Sequence, residues 1–275
     1  MLIVLFYLFL SGFFVLLGWL FGLDFNSFNS VWTYVLILVD FILSYALAFA
    51  SILAVVSILG EFRKGKSFDN SFNHKFAHSL LRLALHLARI KTTVTGLENI
   101  PKDNKFVFVS NHQENYDIPV IMPIFKDHPI CFIAKEALFD APIIGKWISL
   151  LGNVPIGKMA DREAAKSIIT GIKRYKEGLP FGIFPEGRRA KSNEMIEFKP
   201  GAFKLAMKPK ANLLIGTIYD MGTVFSRVPW KRYQVRVHFH PLLSYEEYKD
   251  LNSQDLSAHV KEIIQQQLDK FKNAE

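Results

Sequence analysis

Cysteine is nearly absent from this sequence, which has one, Cys131, in 275 residues. A single cysteine excludes an internal disulfide bond and any metal site that needs several thiolates. It lies in the apolar stretch "PICFIAK", where an unpaired cysteine is usually a small core residue. The sequence also lacks a G-x-S-x-G nucleophile elbow. Chemistry that proceeds through a covalent acyl-enzyme is therefore not expected.

Charged residues are scarce near the N-terminus. Residues 2–23 carry no charge, and residues 31–59 carry only Asp40. About 20 apolar residues cross a bilayer core, so each run is long enough for a transmembrane helix. A signal peptide is the alternative for the first run, but a basic start and a small-x-small cleavage site are both missing. We predict a membrane-anchoring helical hairpin over residues 1–60.

Positive charge flanks the predicted hairpin on one side. The connection "DFNSFNS" has no lysine or arginine, whereas "EFRKGK" follows the second run. Because basic residues are retained in the cytoplasm, both ends of the hairpin and the chain that follows it should be cytoplasmic, at the cell membrane. A shallow re-entrant pair remains an alternative, because Asp40 would cost about 2.5–3.5 kcal/mol at mid-membrane. A second span over residues 41–59 places Asp40 at the outer interface and removes most of that cost.

The basic residues that give the chain its net charge of +8 all lie after residue 60. Such charge is typical of proteins that bind nucleic acid, anionic lipid or a phosphorylated substrate. Next to a membrane hairpin, we favour lipid headgroups and phosphate ligands, and we predict no nucleic-acid partner.

Residues 61–90 predict a basic amphipathic helix at the membrane interface. In "FNHKFAHSLLRLALHLARI" apolar residues recur at helical spacing, with Phe72 and Phe76 on the apolar side. His74 and His78 are four residues apart, which is metal-ligand spacing on a helix. A third ligand with a supporting carboxylate is not evident, so solvated histidines are the preferred interpretation and no metal site is predicted.

From residue 91 to residue 275 short β-rich runs alternate with helical segments. Candidate strands cover residues 92–95, 105–110, 130–134, 180–184, 213–219 and 233–240. Candidate helices cover residues 118–125, 142–151, 161–177 and 200–208, with a charged C-terminal helix from about Tyr245. The alternation predicts an α/β fold, with a mixed, partly parallel sheet flanked by helices and preceded by the N-terminal membrane hairpin. Residues 91–275 would form one catalytic-type domain.

The stretch "FVFVSNHQENYDIPV" places His112 just after an apolar strand and Asp117 five residues later. Residues five apart point about 140° away from each other on a regular helix, so the two cannot pair there. They can pair if the strand ends at Ser110, residues 111–116 form a turn and a helix starts at Asp117, as Pro119 suggests. The alternative is that Asp117 caps the helix, and a capping carboxylate could still reach the imidazole.

A second strand-end motif is "GIFPEGRRA", which contains Glu186, Gly187, Arg188 and Arg189. Glycine allows close approach of the backbone to a ligand, and guanidinium groups bind phosphate oxygens bidentately. A charged surface turn is the alternative when this stretch is considered alone. The nearby "GNVPIGKM" has P-loop spacing, but methionine replaces the hydroxyl residue that should hold Mg²⁺, and a helical pattern precedes it instead of a strand.

The two motifs together make the chain resemble the 1-acylglycerol-3-phosphate acyltransferase family, whose marks are N-H-x-x-x-x-D and E-G-T-R. The first is intact from Asn111 to Asp117, and the second has Arg188 in place of threonine. The block "AKEALFDAPIIGKWISLLGNVPIGK" between them also resembles the family, with Lys158 where arginine is usual. The resemblance covers roughly residues 90–225.

This resemblance implies a mechanism and a set of site residues. His112 would act as general base on a glycerol hydroxyl that attacks an acyl thioester, with Asp117 orienting the imidazole. The residues implied in substrate binding are Lys135, Lys158, Glu186, Gly187, Arg188 and Arg189. Glu186 and Gly187 would shape their loop, Glu186 by pairing with an arginine or a substrate hydroxyl. The family needs no cofactor, since acyl-CoA or acyl-carrier protein is the donor substrate.

The implied reaction makes phosphatidic acid from lysophosphatidic acid at the membrane. One alternative keeps the chemistry and changes the acceptor to glycerol 3-phosphate or another lysophospholipid. An alternative of a different class is a non-catalytic membrane protein that binds anionic lipid through its basic surface.

Overall fold

The structure is a computed structural model that describes residues 1–23, 31–66, 68, 71–157, 160–223 and 232–274. The chain divides into two compact units, Met1–Lys64 and Gly65–Glu275.

The first unit consists of two helices, α1 (Leu2–Leu20) and α2 (Val31–Phe62), which pack against each other. Both are long and apolar enough to cross a membrane. The buried side of α2 repeats every four residues, as Asp40, Ser44, Ala48, Ile52, Val56 and Gly60. Four residues make slightly more than one helical turn, so these buried residues form one stripe along the helix.

The second unit contains the remaining helices and all the strands within the described residues. In chain order these are α3 (Ser71–Leu87), β1 (Ile90–Thr95), β2 (Phe106–Ser110), α4 (Asp117–Ile121), β3 (Cys131–Lys135), α5 (Ile144–Leu150), β4 (Val154–Ile156), α6 (Ala160–Lys176), β5 (Phe181–Ile183), α7 (Lys204–Met207), β6 (Asn212–Tyr219), β7 (Tyr233–Phe239), α8 (Tyr245–Tyr248) and α9 (Ser253–Asn273).

The described strands form one sheet in the order β1-β7-β6-β2-β5-β3-β4. β6 and β7 pair antiparallel, and the other described pairs are parallel. β2 is central and fully buried, which explains its continuous apolar sequence. Hydrophobic clusters cover both faces, one containing Phe181 and Ile264 and the other Phe108 and Val237. The predicted α/β fold with a mixed, partly parallel sheet is confirmed.

Parallel pairing places the carboxyl ends of β2, β3, β5 and β6 along one edge of the sheet. The segments that leave this edge contain His112 after β2, Lys135 at the end of β3, residues 184–189 after β5 and Asp220 after β6. Ligands of open α/β sheets bind at such an edge.

Two predictions of secondary structure were wrong. β4 was missed, and the predicted single C-terminal helix is two helices, α8 and α9, separated by residues 249–252. The six predicted strands are all present, with bounds that differ by one or two residues.

The prediction of solvated histidines on α3 was also wrong. His74 and His78 are each only 3% exposed, whereas Phe72, predicted on the apolar side, is 45% exposed. The physical reason is that α3 packs against β1, α4 and α5, which cover more of its circumference than a one-sided amphipathic pattern implies. Burial, with the neighbouring His74 and Arg82, lowers the pKa of His78 to about 4.

Candidate active site

His112 and Asp117 pair as the sequence suggested. β2 ends at Ser110, the chain turns, and α4 begins at Asp117. Nδ1 of His112 lies 2.6 Å from Oδ2 of Asp117. Because an ionised carboxylate can only accept, Nδ1 carries the proton and donates it, and Nε2 carries the lone pair. The imidazole is 19% exposed. An imidazole held in this way at the carboxyl edge of the sheet is suited to accept a proton at Nε2.

Asp117 is fully buried, and one of its oxygens accepts three hydrogen bonds. Besides the imidazole, Oδ2 accepts from the backbone N–H groups of Gln113 at 2.7 Å and Glu114 at 3.0 Å. Both donors precede the helix, so the carboxylate holds the turn before α4 instead of capping its first N–H groups. Burial raises the pKa of Asp117, and the hydrogen bonds from His112, Glu114 and Gln113 oppose that rise.

His112 is also fixed by the loop after β5. Its ring stacks on Phe184, with ring centroids 4.4 Å apart. Its backbone N–H donates to Oε1 of Glu186 at 2.9 Å, and its carbonyl accepts from the N–H of Ala190 at 2.8 Å. The histidine is therefore held through its ring, its N–H and its carbonyl.

Within the part of the chain that the structure describes, Glu186 pairs with backbone groups and with no arginine. Its second oxygen, Oε2, accepts from the N–H of Ile196 at 3.3 Å, and the residue is 2% exposed. Burial raises the pKa of this carboxyl group, and the two N–H donors oppose the rise. Gly187 follows at φ +66°, a left-handed conformation that glycine adopts without strain. These two residues set the path of the loop.

The described basic residues among the predicted substrate contacts lie along the same edge. Nη1 of Arg189 lies 3.2 Å from Oε2 of Glu114, and Arg188 and Lys135 are exposed. Lys158 lies outside the described residues. The edge therefore combines an oriented imidazole with cationic side chains that suit an anionic ligand.

Three polar side chains that were not among the predicted site residues join the loops behind the histidine. Gln113 is 1% exposed and bonds the carbonyl of Ile218 at 2.9 Å and the N–H of Met221 at 2.8 Å. Asn193 connects Gln113, at 3.1 Å, to Asp220, at 3.1 Å. Gln113 and Asp220 closely follow β2 and β6, so a polar residue just beyond an apolar strand was the available signal for these two, whereas Asn193 lies ten residues after β5 and had no such signal.

The P-loop alternative requires a strand before the glycine-rich turn. Gly152 instead follows α5, and the stretch contains β4 at Val154–Ile156. The described residues therefore do not have the strand-loop-helix order of a P-loop.

With this geometry in place, comparison with known proteins gives a consistent result. A family model described as Acyltransferase matches residues 91–222. The chain is 29% identical over 194 residues to the 1-acyl-sn-glycerol-3-phosphate acyltransferase of Borreliella burgdorferi, covering 70% of this chain and 77% of that protein. It is 28% identical over 200 residues to the Bacillus subtilis protein of the same name, covering 73% and 97%.

A longer plant relative matches over a shorter share of its length. The chain is 32% identical over 161 residues to the chloroplastic 1-acyl-sn-glycerol-3-phosphate acyltransferase BAT2 of Brassica napus, covering 57% of this chain and 46% of that protein. Among solved structures, the fold is similar to the 1-acyl-sn-glycerophosphate acyltransferase PlsC of Thermotoga maritima. The TM-score is 0.66 at 24% identity, over 81% of this chain and 92% of that one.

The sheet edge, the paired motifs and these comparisons agree on the class: residues 91–222 of this chain match the acyltransferase family. Within that family, its relatives named above are 1-acyl-sn-glycerol-3-phosphate acyltransferases.

Proposed function

We propose that the protein transfers a fatty acyl group from a thioester donor to the sn-2 hydroxyl of lysophosphatidic acid, which forms phosphatidic acid. The observation that carries this proposal is the His112–Asp117 pair, 2.6 Å apart, at a sheet edge that also presents basic residues. The names of the matched relatives support the same reaction.

In this mechanism Nε2 of His112 takes the proton of the acceptor hydroxyl as its oxygen attacks the thioester carbonyl. A C–O bond forms, the tetrahedral intermediate collapses, and the C–S bond breaks. The proton held on the imidazole then passes to the leaving thiolate. The buried carboxylate of Asp117 keeps Nδ1 protonated and stabilises the imidazolium that exists between the two transfers.

The acceptor's phosphate binds the basic side chains at the same edge. Arg189 and Lys135 are the principal contacts, and Arg188 and Lys158 add positive charge. Glu186 and Gly187 act indirectly, by holding the loop that carries the arginines against His112. Replacement of threonine by Arg188 keeps the site suited to an anionic ligand.

The two apolar helices anchor the protein in the membrane, where acceptor and product both partition. The catalytic unit faces the cytoplasm, as the basic residues after α2 indicate. The donor, acyl-CoA or acyl-carrier protein, then arrives from the cytosol, and no cofactor takes part.

A direct test compares the purified, detergent-solubilised protein with its His112→Ala variant. Both are offered lysophosphatidic acid, lysophosphatidylcholine and glycerol 3-phosphate, each with acyl-CoA and with acyl-carrier protein. We expect acylation of lysophosphatidic acid, and a loss of about 10²–10⁴-fold in kcat for the variant, because general-base catalysis contributes that much.

The matched control is His259→Ala, since His259 is exposed on α9, away from the sheet edge. Full activity in folded His112→Ala would contradict the mechanism. Preference for another acceptor would change the substrate assignment, and inactivity with every acceptor would favour the non-catalytic lipid-binding alternative.

A further inference from the structure

The carboxylate of Glu114 already pairs with Arg189, the arginine to which the proposed function assigns the acceptor's phosphate. Glu114 and Arg189 form an ion pair at 3.2 Å, with side chains 24% and 27% exposed respectively. Glu114 lies between His112 and Asp117 in the chain and takes no part in the proposed proton transfers. This inference rests on the proposed function, because it concerns how the phosphate reaches Arg189.

The backbone fixes both partners beside the catalytic histidine. The N–H of Glu114 donates to Oδ2 of Asp117 at 3.0 Å. On the other loop, the residue after Arg189, Ala190, donates its N–H to the carbonyl of His112 at 2.8 Å. Neither loop can carry its charged side chain far from the histidine without breaking these hydrogen bonds. The carboxylate and the guanidinium therefore face each other at the rim of the site.

Phosphate and carboxylate compete for the same donors. A guanidinium binds either anion through its N–H groups, and the geometry of the two contacts is similar. A phosphate monoester carries about −1.5 to −2 charges near neutral pH. Bound at Arg189 it would lie close to the negative charge of Glu114, and like charges at that distance repel in a partly buried site.

We propose that Glu114 is an intramolecular competitor for phosphate at Arg189. The carboxylate fills the phosphate subsite when the acceptor is absent, and the acceptor's phosphate must displace it. A small free anion has only its charge with which to do so, whereas a lysophospholipid adds the binding of its acyl chain. Glu114 thus raises the KM for the acceptor and selects phosphate monoesters attached to a lipid over free phosphate.

The first experiment measures acyl transfer as a function of lysophosphatidic acid for the intact protein and three variants. Glu114→Gln removes the charge at nearly constant shape, and we expect the KM for the acceptor to fall about 5–20-fold, more than kcat changes. Glu114→Asp keeps the charge and shortens the side chain, and its KM should stay within about threefold of the unsubstituted protein. Glu246→Gln, which removes the exposed ion pair between Glu246 on α8 and Lys249 just after it, is the control and should leave KM unchanged.

The second experiment does not depend on turnover. Binding of inorganic phosphate to the detergent-solubilised proteins is measured by calorimetry, and phosphate is tested as a competitive inhibitor against lysophosphatidic acid. We expect Glu114→Gln to bind phosphate about 5–20-fold more tightly, and inhibition to strengthen in parallel.

The two experiments separate the failures of the two proposals. An unchanged or raised KM in Glu114→Gln, with phosphate binding equal or weaker, means that Glu114 supports Arg189 structurally and overturns the competitor role. An equal fall in KM for Glu114→Asp also overturns it, because that variant retains the charge. If the unsubstituted protein acylates no acceptor, the proposed function fails, and phosphate binding alone still decides whether Glu114 competes.

Discussion

At the scale of residues, two buried carboxylates, those of Asp117 and Glu186, contact different parts of His112. Asp117 contacts the imidazole ring, whereas Glu186 contacts the backbone N–H of His112. In the proposed mechanism Asp117 stabilises the charge that develops on the imidazole, whereas Glu186 fixes the position of the loop. A substitution that removes the charge of a carboxylate and preserves its shape should distinguish these two roles.

We predict that Asp117→Asn lowers kcat by about 10²–10⁴-fold. An amide oxygen can still accept from Nδ1–H and from the two backbone N–H groups. It carries no negative charge to stabilise the imidazolium, and its NH₂ group would sit where the buried Oδ1 has no hydrogen-bond partner among the described residues. The measurement is single-turnover acyl transfer, together with circular dichroism to verify the fold.

The control for this variant is Asp103→Asn. Asp103 is exposed and accepts from the N–H of Lys105 at 3.0 Å, in the turn before β2, at the opposite end of that strand. Its activity should match that of the unsubstituted protein. A folded Asp117→Asn protein with kcat within tenfold of the original would show that the charge of Asp117 is not needed.

At the scale of elements, local sequence was sufficient where one strong pattern decided the structure. Continuous apolar runs predicted β2 and β6 correctly because both are buried on two faces. β4 was missed because it has three residues and contains Pro155, which is unfavourable in strands. The start of α8 had a sequence signal, the capping box of Ser244 with Glu247. The break before α9 also had one, since Asn252 caps α9.

The contacts of the candidate site also divide into those that the local sequence predicts and those that depend on the pairing of distant strands. The His112–Asp117 pair depends on the local turn over residues 111–116, so spacing and Pro119 were enough to suggest it. Stacking of Phe184 on His112 and the Glu114–Arg189 pair join residues more than 70 positions apart. Those contacts depend on the pairing of β2 with β5, which the sequence of either strand alone does not specify.

β7 and the residue after it contain histidines that make stability depend on pH. Nε2 of His240 lies 2.9 Å from Oγ1 of Thr217, and its ring is 4.6 Å from that of His238. Burial, with His238 and Lys270 nearby, lowers the pKa of His240 to about 4. The unfolded chain therefore binds a proton near pH 6.5 that the folded chain accepts only near pH 4, so acidification through this window destabilises the fold.

We predict that His240→Gln reduces this loss of stability. Between pH 7 and pH 5 the thermal midpoint of the detergent-solubilised protein should fall by about 2–4 °C less in the variant, because one titrating group is removed. His259→Gln, at an exposed position, should keep the original pH dependence. An identical pH dependence in His240→Gln and the unsubstituted protein would assign the acid sensitivity to other groups.

At the scale of the whole molecule, the lengths of the two apolar helices distinguish a bilayer crossing from entry into one leaflet. α1 has 19 residues, which gives a length of about 28 Å, close to a hydrocarbon core of about 30 Å. α2 has 32 residues and a length of about 48 Å, more than one crossing requires. A re-entrant pair would use about half of that thickness. The lengths therefore favour two crossings, and the basic residues that follow α2 predict that both ends of the pair lie on the cytoplasmic side.

This topology predicts the labelling of a cysteine placed between the helices. Native Cys131 is fully buried, its Sγ donates to the carbonyl of Leu151 at 3.1 Å, and burial raises the pKa of its thiol to about 12. It should stay unreactive toward a membrane-impermeant maleimide, because the thiolate is the nucleophile. In right-side-out vesicles Ser27→Cys should be labelled at once, and His259→Cys only after permeabilisation. If Ser27→Cys also requires permeabilisation, the helices enter one leaflet and return, and the loop shares the cytoplasmic side with the catalytic unit.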